Sequence, residues 1–189
     1  MRIRRRIKQS PRRSVVLAQD ETDLLLFPPL RSCWSPVGQP KEVVLCGRNA
    51  RRVVFGAMNL RTGSRYSLVR ERQRAADFQE SLRALHHHYR GWHVAMLLDE
   101  DPSHTAKGSL QLAECFGVEP LWLPKRVPEL NPMDTLWGQA KDVVCADKQY
   151  PSLDEQTDRF IRHLESLSPQ DALHTAGVLS DDFWLRDVL

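Results

Sequence analysis

Two short apolar runs each lead into an aspartate, and this pairing constrains the chain more than any other feature. Ser14–Ala18 (SVVLA) runs into Gln19-Asp20-Glu21, and Trp92–Leu98 (WHVAMLL) ends at Asp99. Both runs are short and apolar, and they read as buried strands. A carboxylate at the edge of a buried strand is costly unless a partner or a cation compensates it. If the two strands are neighbours, their ends bring two negative charges together. Hard divalent cations such as Mg²⁺ take oxygen ligands and relieve that repulsion.

The rest of the pattern fills in a sheet with helices. Pro28 to Pro40 holds four prolines around Trp34 and reads as an ordered excursion loop. Glu42–Cys46 (EVVLC) and Arg52–Asn59 follow as strand-like runs. Gly63 supplies the turn before a further strand over Arg65–Val69, which makes an antiparallel meander. Ala75–Arg90 carries a helical stripe of Phe78, Leu82, Leu85 and Tyr89. Ala106–Phe116 is a second helix, and Pro120–Leu123 a short strand. Asn131-Pro132 is a helix start, with asparagine capping and proline in the first turn. Ser152-Leu153-Asp154-Glu155 is a capping box, and Ser168-Pro169 opens a last helix. The expected fold is α/β: a mixed sheet, antiparallel meander plus parallel strands, flanked by helices.

Charge is uneven along the chain. Residues 1–13 carry seven basic side chains and no acid, whereas the remaining 20 basic and 24 acidic residues leave the body about −4. Such an arm is either a solvated terminus or a contact for a polyanion. The expected division is therefore a basic arm over residues 1–13 and one domain over residues 14–189. The four cysteines are widely spaced, which argues against a zinc site or disulfide scaffold and fits a reducing cytoplasm. No apolar h-region follows the basic start, and no apolar stretch is long enough to span a bilayer.

A third carboxylate, Asp134, lies in the first turn of the helix opened by Asn131-Pro132. An acid there has a plain alternative role, because it complements the helix dipole. Composition and spacing alone reach no further than a possible metal-dependent phosphotransferase, in which two ions about 3.5–4 Å apart serve an in-line displacement.

The motifs around these acids add a resemblance. Leu97-Leu98-Asp99-Glu100-Asp101-Pro102-Ser103-His104-Thr105 resembles the second-aspartate motif of the Tc/mariner superfamily and its bacterial insertion-sequence relatives. Leu123-Pro124, Pro128-Glu129-Leu130-Asn131-Pro132-Met133-Asp134 and Leu136-Trp137 resemble its third-acid motif, and 34 residues separate Asp99 from Asp134. Gln19-Asp20-Glu21, with Trp34 and Gly38 downstream, resembles the first-aspartate motif and the loop after it. The resemblance covers residues 14–150 and implies an RNase H-like DDE/DDD transposase domain. It implies that Asp20, Asp99 and Asp134 hold two Mg²⁺ or Mn²⁺ ions for strand cleavage and transfer at transposon ends. It further implies DNA as partner, a homodimer on that DNA, and a bacterial, nucleoid-associated cytoplasmic location. Relatives usually carry Asn where Glu100 stands. Family members also begin with helix-turn-helix modules, and nothing before Asp20 is long enough for one. The expectation is a separately encoded or frameshift-fused helix-turn-helix region. The alternative is a truncated, catalytically silent DNA-binding or assembly remnant, and a host RNase H-like nuclease is a third reading.

Further residues are candidates for binding. Lys125-Arg126 precede the third-acid helix, and Arg48, Arg51 and Arg52 cluster before a strand; each group either contacts DNA phosphates or forms a solvated face. His104 is a possible auxiliary residue for substrate or a bound water, or else makes a structural hydrogen bond; Glu100 is the other auxiliary candidate. His86-His87-His88 point about 100° apart on a helix and cannot ligate one ion together. Trp34 either anchors a partner subunit or packs in the core. The chain has no G-x-S-x-G elbow and no Gly-rich phosphate loop, so neither serine-hydrolase chemistry nor ATP use is expected.

Overall fold

The computed structural model describes residues 2–39 and 42–189; Pro40, the expected end of the proline-rich loop, and Met1 of the arm lie outside them. Five strands form one mixed sheet in the order β3-β2-β1-β4-β5. They are β1 (Ser14–Leu25), β2 (Arg51–Asn59), β3 (Arg65–Arg70), β4 (His93–Leu98) and β5 (Val118–Trp122). The first three make the antiparallel meander, while β4 and β5 add in parallel to β1. The mixed sheet read from the sequence is therefore present.

Alternation along β1 sends Val16, Ala18 and Leu24 to one face and Val15 and Leu17 to the other. The first face is covered by α5 (Pro132–Val144), α6 (Leu153–Ser166) and α7 (Pro169–Thr175); the second by α2 (Ala75–His88) and α4 (Lys107–Cys115). The predicted stripes are buried at Phe78, Leu82 and Leu85 on α2, with Tyr89 half-buried just past its end, and at Met133, Leu136, Trp137, Ala140 and Val144 on α5. Helix starts follow the expected chemistry. Asn131, Ser152 and Ser168 each accept a backbone N–H two or three residues on.

Gly56 sets how closely α5 approaches the sheet. It pairs with Asp20 across β1 and β2, and a Cβ added there would run into the Trp137 ring and the Met133 methyl. Overpacking a filled core costs about 1–3 kcal/mol. Gly56→Ala is therefore expected to lower stability by about 2 kcal/mol in a denaturant titration. An unchanged midpoint would show that the α5 contact is loose.

Three expectations need correction. The strand after the arm does not stop at Ala18: β1 continues to Leu25, so Asp20 lies inside a strand rather than at its end. Its polar residues look like a terminus, yet β2 pairs with them from Leu17 to Leu25. Glu42–Cys46 is not a strand. It runs as irregular chain with Val44 and Leu45 exposed, and both sides of β2 are already taken by β1 and β3. Cys46 exchanges hydrogen bonds with the Gln149 side chain instead. The basic arm is not a solvated terminus throughout: Arg2–Lys8 form a helix, α1, with Ile7 buried. Arg4 donates to the Trp184 carbonyl, Arg4 and Lys8 approach Asp187, and Arg6 bonds Glu119.

Trp34 is 103% exposed, so it is no part of the core. His87 and His88 are exposed, and His86 stacks on Phe116. Among the described residues no helix is long and apolar enough to cross a membrane.

Candidate active site

The register of the parallel strands brings the first two aspartates together. β1 and β4 pair up to Ala18 and Leu97; Asp20 and Asp99 follow two residues further on, near enough for the charge of Asp99 to act on Asp20. At that point β4 ends and the chain turns away into α3 (Pro102–Thr105). Asp134 comes from a third element, the first turn of α5. Asn131 places that turn: its Oδ1 accepts from Met133 N at 3.1 Å, and its Nδ2 donates to the Gln19 carbonyl at 2.9 Å. One buried side chain thus caps α5 and ties it to the residue before Asp20.

Asp20, Glu21, Asp99, Glu100, Asp101 and Asp134 line one open cleft of about 560 Å³, with Lys125 and Arg126 on its rim. Electrostatics record the crowding. Burial first, then Glu21, Asp99 and Asp134, push the Asp20 carboxyl from 3.8 up to about 7. Among the described residues no three His, Cys, Asp or Glu side chains close into a cage around an ion-sized space. The acids share the cleft, and Asp99 has one oxygen engaged by a partner of its own.

Those partners centre on His104, 1% exposed beneath the cleft. Its Nδ1 meets Asp99 Oδ1 at 2.8 Å, and its Nε2 meets Glu21 Oε1 at 2.9 Å. Burial lowers the imidazole's pKa, but the hydrogen bonds to Asp99 and Glu21 outweigh it and raise it to about 10. His104 is thus a cation donating from both nitrogens. In return, its hydrogen bond holds Asp99 below the usual carboxylate range, against the effect of burial.

Glu21 carried no signal in the sequence beyond its place beside Asp20. Alternation sends it to the opposite sheet face, where Phe78 and His104 pack. Lys141 was also missed. It lies two turns after Asp134 on the same side of α5, and its pKa is lowered by burial although Asp23, Cys145, Asp134 and Asp20 pull it upward. Helical spacing of seven from Asp134 was the available clue.

The extra acids near Asp99 have other uses. Asp101 caps α3, accepting from Ser103 N at 2.8 Å and Ser103 Oγ at 2.6 Å. Glu100 pairs with Lys125 at 3.0 Å. Arg126 is exposed with φ 61°. Arg51 and Arg52 begin β2 and bond Asp23 and Asp154, while Arg48 lies in the chain before them.

Comparison with known proteins gives one pattern. Residues 15–157 match the family described as DDE superfamily endonuclease. The uncharacterized 39 kDa protein of insertion element IS630 from Shigella sonnei is 25% identical over 156 residues, covering 82% of this chain and 46% of that protein. The Mos1 transposase paired-end complex with the left transposon end superposes with a TM-score of 0.73 at 18% identity, over 98% of this chain and 59% of that one. The Mos1 transposase catalytic domain bound to Raltegravir with Mg gives 0.63 at 16% identity, over 98% of this chain and 89% of that one. The chain thus spans about half the length of the insertion-element protein and has the RNase H-like fold of a transposase catalytic domain.

Proposed function

The chain belongs to the DDE superfamily endonucleases, and from that premise we propose that it catalyses metal-dependent DNA strand cleavage and strand transfer at transposon ends. The observation that carries this reading is the cleft itself: Asp20, Asp99 and Asp134 come from three separate elements to one opening, where burial first, and then neighbouring carboxylates, raise Asp20 to about 7. An acceptor-only set of hard oxygens with unbalanced negative charge suits Mg²⁺ or Mn²⁺. Mos1, with the same fold, is known on a transposon end and with Mg.

Asp20, Asp99 and Asp134 would hold two such ions, which supply charge stabilisation for an in-line displacement by water and then by a 3′-hydroxyl. The residues of the chain do the rest. The His104 cation orients Asp99 and keeps it ionised. Asn131 fixes Asp134 against β1. Arg126 and Lys125, with Arg48, Arg51 and Arg52, would meet phosphates, and exposed Trp34 would meet a second copy of the chain. Each acid of the three motifs is present, which favours an active domain over a silent remnant.

The direct test is nicking of supercoiled plasmid by purified protein. Nicking is expected with Mg²⁺ or Mn²⁺ and is expected to vanish with EDTA. Undiminished cutting in EDTA would refute the metal-dependent reading.

A further inference from the structure

Basic side chains on the cleft side of the sheet divide into paired and free. Arg70 bonds Glu80, Arg51 bonds Asp23, Arg52 bonds Asp154 and Lys125 bonds Glu100. Arg72 and Arg74, in the loop from β3 to α2, are exposed and make no ion pair among the described residues. Glu71 is the one acid between Arg70 and Arg74. An open cleft of about 450 Å³ separates this loop from Arg51.

Strand order says where these cations stand. β3 and β5 are the two edges of the sheet, and β1 and β4 lie between. Arg70, the last residue of β3, pairs with Val53, which pairs with Asp23, three residues beyond Asp20. The loop therefore leaves β3 at the same end of the sheet as the catalytic cleft. Arg126 lies past the other edge, after β5. Four strand spacings of about 4.8 Å separate the edges, roughly 19 Å in all. At 3.4 Å per base pair that is about six base pairs of duplex.

We infer that DNA lies across the strands, and that Arg72 and Arg74 hold its phosphate backbone on the β3 side of the cleft, opposite Lys125-Arg126. This rests on the function proposed above. Free cations contribute most to such binding, because paired ones must first give up a carboxylate. Each phosphate neutralised releases counterions and adds about 0.9 to the slope of log affinity against log salt.

The experiment uses the full chain and a labelled duplex of about 20 base pairs, with affinity measured from about 50 to 200 mM salt. Arg72→Gln/Arg74→Gln is compared with Arg12→Gln/Arg90→Gln, which removes equal charge beside the starts of β1 and β4, at the far end of the strands. Thermal unfolding confirms that both variants are folded. The loop variant is expected to flatten the slope by about 2 and weaken binding about a hundredfold at the lower salt, while the control moves the slope by less than about 0.5. Equal changes in both variants, or none in the loop variant, overturn the inference and leave the function standing. A wild-type chain that binds no DNA overturns both.

Discussion

Asp99→Ala is expected to cut metal-dependent nicking by about three orders of magnitude or more while the protein stays folded. The loss follows from charge. Asp99 is held ionised by His104, so it presents a full negative charge to the cleft at any working pH. A metal centre supplies several kcal/mol of stabilisation to the displacement, and about 4 kcal/mol is a thousandfold in rate. The fold survives because the side chain is 58% exposed and its buried partner keeps other acceptors. His104 Nδ1 also lies 3.2 Å from the Asp99 backbone carbonyl, and Nε2 retains Glu21. Asp99→Asn, which keeps the shape and loses the charge, is expected to fail equally. Nicking by either variant at the wild-type rate would remove Asp99 from the chemistry.

The parts of this site legible in the sequence are those set by local pattern. Asn131-Pro132 announces a helix start, and the capping bond to Met133 N is there. The apolar run before Asp99 is strand β4, which ends one residue before that aspartate. What escaped reading is set by contacts between distant residues. Gln19 to Asp23 look like a strand end because they are polar, but β2 supplies their ladder. The Glu21–His104 contact joins residues 83 apart, and Asn131–Gln19 joins residues 112 apart. Arg4 and Lys8 of α1 are matched to Trp184 and Asp187 at the far end of the chain. Glu42–Cys46 shows the converse error: a β-branched apolar run becomes a strand only where a sheet edge is free to pair with it.

The burial of Asp20 among other carboxylates has a measurable cost, and Asp20→Asn exposes it. In metal-free protein the Asp20 carboxyl titrates near 7 instead of 3.8. An acid whose folded pKa is raised holds its proton more tightly when folded. Stability is therefore highest below pH 3.8, falls as the pH rises toward 7, and stays low above that. A shift of this size corresponds to about 2–4 kcal/mol. Asparagine keeps the shape without the charge. In EDTA at pH 8 the variant is expected to melt about 5–10 °C above wild type, with the gap closing by about pH 4. Saturating Mg²⁺ reverses the order of benefit: it stabilises wild type, because ion binding to the folded state adds to its stability, and does little for the variant, whose nicking is lost. A variant less stable than wild type in EDTA at pH 8, or a gap that ignores pH, would mean that Asp20 is neutralised within the fold and is not strained by burial beside Glu21, Asp99 and Asp134.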